Sequence, residues 1–190
     1  MNSRSISSQD RVVHLLTNIL LNYKNPEGIR TMAAEICKNG NIHLIGVPDS
    51  NVEDISRVAK EALDKAKALL KYDNQAGIVV IEAQDFFVIP QLGITGSAIG
   101  KSCIEIKIDF SRKDLDKIIE IEIPATIYHE LSHLVRENKL GYGNTLLDSM
   151  VSEGVTCYIE KSVIPREIPY IQPIKDEESF WLKAKESFHD

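Results

Sequence analysis

Two histidines, His129 and His133, lie four residues apart and enclose Glu130 in the sequence His-Glu-Leu-Ser-His. On an α-helix, residues at positions i and i+4 share one face, with Cβ atoms roughly 5–6 Å apart. Both imidazoles can then reach a single ion, because Zn–N bonds are about 2.0–2.1 Å long. The carboxylate between them can approach the metal without binding it and can take a proton from water. The motif therefore requires a helix and predicts a zinc site.

The residues around the motif have helical spacing. Apolar side chains recur on the face opposite the histidines, at Ile123, Ile127, Leu131, Leu134 and Val135. Pro124 suits the first turn of a helix, where a missing N–H costs nothing. Asn138 and Gly141 are typical stop signals. The pattern predicts one helix that begins near Pro124 and ends before Gly141.

A tetrahedral zinc that keeps one position for water needs a third protein ligand. The candidate donors downstream are Asp148, Glu153, Glu160 and, through sulfur, Cys157. They belong to a second segment of helical spacing, about residues 145–161, for which Asn144 is the predicted N-cap. The predicted buried stripe of this helix consists of Leu147, Met150, Val151 and Val155. Helical spacing alone leaves the choice of the third ligand open.

Nineteen residues, 134 to 152, separate His133 from Glu153. This arrangement resembles the gluzincin metallopeptidases, in which two histidines and a later glutamate hold one zinc. More narrowly, HELSHLVR followed by TLLDSMVSEGVTCYIE resembles a family of predicted zinc-dependent proteases that is catalogued as a domain of unknown function. The resemblance covers about residues 124–161. It implies that His129, His133 and Glu153 bind zinc and that Glu130 is the general base.

The resemblance also implies an α+β, zincin-like fold, with a small mixed β-sheet beside the active-site helix and a following helix that carries the glutamate. In zincins an edge strand lines the cleft and pairs with an extended substrate. By resemblance we expect residues 97–108 to be that strand, and the alternative is a buried strand of a hairpin. Gluzincins often carry an aspartate one turn after the ligand glutamate, where it orients a histidine. This chain has Cys157 at that position. Asp148 and Glu160 remain as candidates for the orienting role.

Gluzincins usually add a tyrosine or histidine after the third ligand to stabilise the oxyanion. The candidates of those types are Tyr158, Tyr170 and His189. Tyr158 would point about 140° away from the face of Glu153 on a helix, and His189 is next to the chain end. Prolines stiffen the segment 165–173 around Tyr170. We therefore predict that Tyr170 is the oxyanion donor.

The rest of the chain mixes helical and strand patterns. An amphipathic helix is predicted over about residues 51–72, with lysines and glutamates on its solvated face. The run Ile-Val-Val-Ile-Glu-Ala after Gly77 is typical of a central strand. Residues 93–101 form a predicted glycine-rich loop, and residues 103–110 alternate as a strand. A last helix, about 175–187, is predicted to pack an aromatic stripe into the core.

Length, charge and cysteine content bound the remaining questions. A chain of 190 residues fits a single domain, residues 1–190. A net charge of −6, without a lysine and arginine cluster, argues against nucleic acid. The resemblance to metallopeptidases implies a peptide or protein substrate as the partner. The uncharged run near Val13–Tyr23 has helical spacing and is interrupted by polar residues, which favours an amphipathic helix over a membrane or signal segment. Three scattered cysteines favour a reduced, cytoplasmic setting. Oligomeric state is left undecided.

Two other functions are compatible with the motif. Peptide deformylases also carry H-E-x-x-H and add an upstream cysteine ligand, for which the candidate is Cys103. A non-catalytic zinc-binding module would close the fourth metal position with protein, and Cys157 or His189 could serve there. His43, on a predicted strand over residues 41–47, is more simply a structural residue.

Overall fold

The computed structural model describes residues 35–37, 40–83, 88–169 and 175–188. The predicted N-terminal helix near residues 13–23 lies outside these residues, as do Tyr170 and His189. Within the described part, the chain is a mixed α+β structure built on one four-stranded sheet. Across the same residues, no helix combines the length and apolar character that crossing a membrane requires.

The sheet contains three parallel strands and one antiparallel strand. The strands are β1 (Ile42–Ile45), β2 (Gly77–Glu82), β3 (Ile94–Ile99) and β4 (Cys103–Ile108). Their spatial order is β1-β2-β4-β3, with β1, β2 and β4 parallel and β3 antiparallel to β4. The apolar run after Gly77 is thus a central strand, as predicted, since β2 is paired on both sides.

The described residues contain four helices of ten or more residues. They are α1 (Val52–Leu70), α2 (Ile123–Leu140), α3 (Leu146–Val163) and α4 (Glu177–Glu186). One sheet face packs against α1 and α2 through fully buried side chains such as Ile78, Val80 and Ile104. The opposite face carries Val79 and Ile81, which pack with Ile36. The core therefore fixes α2 firmly across the sheet.

Helix α2 confirms the boundaries predicted around the motif. Pro124 lies in its first turn, and the helix ends at Gly141, whose φ is 79°. The N-cap prediction for α3 is wrong by one residue. Thr145, not Asn144, is the N-cap, because its side chain accepts a hydrogen bond from the Asp148 N–H while the Asp148 carboxylate accepts from the Thr145 N–H.

The predicted glycine-rich loop over residues 93–101 is wrong, because most of it is strand β3. The predicted edge strand over residues 97–108 is also wrong, since it covers the end of β3, a turn and the internal strand β4. Gly96 has a packing role in this strand. A Cβ on Gly96 would lie 2.5 Å from Thr126 Cγ2 and 2.7 Å from Glu130 Cγ. This glycine lets α2 approach β3 and does not form a turn.

The predicted buried stripe of α3 is wrong as well. Leu147, Val151 and Val155 are exposed, whereas the buried residues of the helix are Thr156 and Glu160. Helix α4 likewise exposes Phe180 and Trp181, contrary to their predicted place in the core. Hydrophobic periodicity locates the apolar face of a helix, but it does not determine which face packs against the rest of the protein. In α3 the covered face is polar because it meets the histidines of α2.

The prediction of reduced cysteines is wrong for two of the three. Cys37 and Cys103 form a disulfide, with Cα atoms 5.3 Å apart and a sequence separation of 66. Cys157 is free. The disulfide joins the segment before β1 to strand β4 on the sheet face that α2 does not cover. Cys103 is therefore unavailable as a metal ligand.

Candidate metal centre

The contact between α2 and α3 brings together three of the predicted site residues. His129 and His133 lie on α2, and their Nε2 atoms are 3.2 Å apart. Glu153 lies on α3 and places Oε2 3.4 Å from His129 Nε2 and Oε1 3.4 Å from His133 Nε2. Four donor atoms of three side chains thus converge on one point between the helices.

This spacing fits the donor triangle of a tetrahedral zinc. Bonds of about 2.0–2.1 Å at tetrahedral angles hold neighbouring donor atoms about 3.3–3.4 Å apart. The observed separations between His129, His133 and Glu153 are 3.2 to 3.4 Å. These three side chains could therefore hold a metal ion with little rearrangement.

The other nitrogen of each imidazole has its own partner. His129 Nδ1 lies 2.9 Å from Glu160 Oε2, and His133 Nδ1 lies 3.0 Å from Ser152 Oγ. Metal-binding histidines usually donate this second N–H to a carboxylate, carbonyl or hydroxyl, which fixes the tautomer and the ring orientation. The contact with Glu160 fixes the Nδ1 side of the His129 ring and leaves Nε2 facing Glu153.

Glu160 belongs to a buried charge network. Arg166 Nη2 lies 2.6 Å from Glu160 Oε1 and 2.9 Å from Glu122 Oε2. Both carboxylates are only 1% exposed. Of the two orienting candidates, Glu160 contacts His129, whereas Asp148 is used in the helix cap. Sequence reasoning missed Arg166, because it follows α3 in an irregular segment and its partner Glu122 is remote in sequence.

A second group of donors, His129, Cys157 and Glu160, also lies close enough to hold a metal ion. It uses the Nδ1 side of His129, where Glu160 already contacts Arg166 at 2.6 Å. A cation placed there would be repelled by the guanidinium. The group formed with His133 and Glu153 has no such competitor within the described residues, so it is the better candidate.

Glu130 lies beside the donor triangle and is 8% exposed. Burial raises the pKa of its carboxyl, and the nearby His129 and His133 oppose that rise only in part. A carboxyl whose pKa is raised accepts a proton more readily than an ordinary glutamate does. Glu130 therefore has the environment of an acid–base group.

The donor triangle itself favours a cation. Burial alone would lower the pKa of His129, but hydrogen bonds with Cys157, Glu153 and Glu160 outweigh it and raise the pKa to about 12. Hydrogen bonds from His129 and His133 lower the pKa of Glu153. The opposite shifts of these two groups show that positive charge is stabilised next to Glu153.

An open cleft of about 520 Å³ gives access to the site. It is lined by Glu130 and the three donor residues, by the edge strand β3 through Thr95, Gly96 and Ala98, and by Arg136 further along α2. An extended chain could lie between β3 and α3 in this cleft. The arrangement can hold a metal, a buried proton acceptor and a peptide-sized ligand together.

Other predicted residues lie elsewhere. Tyr158 is exposed on α3. His43 shares the β1 face with Ile45, which packs against the sheet side away from α2. Tyr170 and His189 are outside the described residues, so their predicted roles stay predictions.

A family model described as "Predicted Zn-dependent protease (DUF2268)" matches residues 55–190, more than half of the chain. The matched part includes α2, α3 and every residue of the donor triangle. No curated protein and no solved structure matches the chain.

Proposed function

Since the chain belongs to the DUF2268 family of predicted Zn-dependent proteases, we propose that it is a zinc-dependent peptidase of the gluzincin type. The proposed ligands are His129, His133 and Glu153. The observation that carries the proposal is their donor triangle of 3.2 to 3.4 Å beside the buried Glu130. A zincin-like fold, in which α2 and α3 supply the ligands and β3 borders the cleft, is part of the same proposal.

Bound zinc would act as a Lewis acid that polarises a carbonyl and lowers the pKa of water. Glu130 takes the proton of the attacking water on its carboxyl oxygen and then delivers it to the leaving amine nitrogen. Its raised pKa supports both steps, because the carboxyl accepts a proton readily and still releases it. Glu160 and Ser152 hold the two imidazoles through Nδ1 and leave each Nε2 facing Glu153, where zinc would bind.

We assign substrate binding to β3. Among the described strands, β3 is the end strand that borders the cleft. Along its outer edge the Ile94 C=O accepts a hydrogen bond from the Ile89 N–H, and the Ala98 N–H donates one to the Glu130 carboxylate. The remaining N–H and C=O groups of that edge can pair with an extended peptide, which is the strand-addition mode of recognition. The proposed partner is therefore a peptide or protein in extended form, and not a nucleic acid.

Two alternatives are weaker. A deformylase-like site would need Cys103 as a ligand, but this cysteine is bonded to Cys37. A non-catalytic zinc module would need a fourth protein ligand, whereas the donor triangle opens onto the cleft next to a proton acceptor. Tyr170 as the oxyanion donor and a single domain over residues 1–190 remain proposals. A cytoplasmic location is also a proposal. The disulfide argues against it, because disulfides are rare in cytosolic proteins.

The test compares Glu130→Gln with His133→Ala. Purified wild-type protein should contain about one zinc per chain, and His133→Ala should lose it because one donor is missing. Glu130→Gln should keep zinc while hydrolysis of a peptide library falls by a factor of about 10² or more. Elemental analysis and mass spectrometry measure the two quantities. Unchanged cleavage by Glu130→Gln, or equal zinc in wild type and His133→Ala, would refute the assignment.

A further inference from the structure

The cleft has different chemistry at its two ends. Three apolar side chains line the end near the start of β3: Ile89, Leu92 and Ile94. At the other end, one helical turn beyond His133, the cleft is lined by Arg136 and Tyr142 together with the carboxylates of Glu137 and Asp148. The Tyr142 hydroxyl donates a hydrogen bond to the Gly100 carbonyl at 3.2 Å, which ties the loop after α2 to the turn after β3. A guanidinium therefore lies at the end of the cleft where α2 stops.

Arg136 has more hydrogen-bonding capacity than its neighbours use. Its side chain is 17% exposed, and its one ion pair within the described chain joins Nη2 to Asp148 Oδ1 at 3.5 Å. A charge-assisted hydrogen bond is shorter, about 2.7–2.9 Å. A guanidinium carries five N–H donors in a planar fork that matches a carboxylate through two parallel bonds. This fork is oriented by Asp148 but is not saturated by it.

Asp148 cannot move to Arg136 without breaking the cap of α3. Its Oδ2 accepts hydrogen bonds from Asn144 N at 3.2 Å, Thr145 N at 3.3 Å and Thr145 Oγ1 at 2.9 Å. These bonds, that of Thr145 first, lower the pKa of Asp148 and keep it ionised. The aspartate thus holds the guanidinium in the cleft and leaves its remaining donors for another acceptor.

The directions of β3 and α2 decide which part of a substrate meets Arg136. Gly96, within β3, lies against Glu130, and the Lys101 carbonyl just after β3 accepts a hydrogen bond from Asn138 Nδ2 at 2.9 Å. The strand and the helix therefore run the same way. A peptide that pairs antiparallel with β3, the more stable pairing, passes Arg136 before it reaches Glu130. Arg136 then faces residues on the amino-terminal side of the cleaved bond.

We propose that Arg136 is a specificity-determining residue that binds an aspartate or glutamate side chain of the substrate, on the amino-terminal side of the cleaved bond. The inference rests on the proposed peptidase function and adds a preference to it. Apolar substrate residues then occupy the end of the cleft near Leu92. The free carboxylate of a peptide C-terminus has the same chemistry, so the experiment separates the two sources.

Binding is measured in the zinc-loaded Glu130→Gln protein, so that hydrolysis does not obscure it. The probes are fluorescent degenerate peptide pools with an amidated C-terminus. One pool contains aspartate and glutamate, a second replaces them with asparagine and glutamine, and a third is the second pool with a free C-terminus. Fluorescence anisotropy should show the acidic pool binding roughly tenfold or more tightly than the amide pool, because one charge-assisted pair is made.

Adding Arg136→Gln should abolish this preference, whereas Arg136→Lys should retain part of it. Arg136→Glu should shift the preference to a lysine-containing pool, which the loss of a purely structural residue would not do. Arg57→Gln is the matched control, because Arg57 lies on α1, outside the cleft, and is 47% exposed. It should bind all pools as the parent protein does.

Equal binding of the acidic and amide pools, or an unchanged preference in Arg136→Gln, would overturn the proposal. So would tight binding of the free-terminus pool alone, since the ligand would then be the chain end. In wild-type digests, mass spectrometry should place the acidic residue before the cleaved bond, and a position after it would overturn the proposed direction. Arg136-dependent binding without any cleavage would leave the subsite standing and refute the peptidase function.

Discussion

Replacing Arg166 with methionine removes the cation between two buried carboxylates. Its Nη2 atom lies 2.6 Å from Glu160 and 2.9 Å from Glu122, and both carboxylates are 1% exposed. Leaving such charges uncompensated costs about 3–5 kcal/mol. Glu122 keeps a partner, since Lys117 Nζ lies 3.6 Å from its Oε1. Most of the cost therefore falls on Glu160.

This cost is a large share of the roughly 5–15 kcal/mol by which a domain is stable. For a domain of this size, about 2–4 °C is lost per kcal/mol, so Arg166→Met should lower the melting temperature by roughly 6–20 °C. The measurement is made on metal-free protein in chelator, because bound zinc adds stability of its own. Urea denaturation of the same samples supplies the free energy of unfolding.

The same substitution should weaken zinc binding by about 10- to 100-fold, because Glu160 no longer holds the His129 ring. Calorimetric titration with zinc measures this at a temperature where the variant is folded. Glu160→Gln is the matched control. The double variant Glu160→Gln/Arg166→Met should lose less free energy of unfolding than the sum of the losses in the two single variants. The reason is that the ion pair between the two residues is lost only once. A loss below about 1 kcal/mol, or strictly additive effects, would contradict the proposed network.

Three further predictions concern the packing, the disulfide and the oxyanion donor. Gly96→Ala should destabilise the protein by about 1–3 kcal/mol in urea denaturation, because its Cβ would overlap Thr126. The control Gly154→Ala should not destabilise it, since that Cβ meets nothing within 4 Å, and equal losses would contradict this account. Cys37→Ser should cost about 2–4 kcal/mol by releasing a long loop, and mild reduction of wild type should reproduce the loss. Tyr170→Phe should slow turnover by about 10²–10³ with zinc content unchanged, and wild-type turnover would remove Tyr170 from the mechanism.

The sequence alone predicted the parts of the structure that depend on neighbouring residues. The spacing of His129 and His133 requires a helix, and α2 has the predicted first turn at Pro124 and the predicted end at Gly141. The apolar run of β2 likewise predicted a central strand. These features follow from periods of 3.6 and 2 residues along a short stretch of chain, so a local pattern contains the information.

Packing between distant elements decided the rest. Which carboxylate orients His129 depends on how α3 crosses α2, and the choice of Glu160 over Asp148 became visible only there. Hydrophobic periodicity predicts the wrong buried face for α3, because it assumes that the buried face is apolar. This helix instead buries polar side chains against the histidines. The local sequence around Gly96 is typical of a loop, because the helix that requires its missing side chain begins 27 residues later. Arg166 and the disulfide had no local signal at all, since both are defined by partners that only the fold brings near.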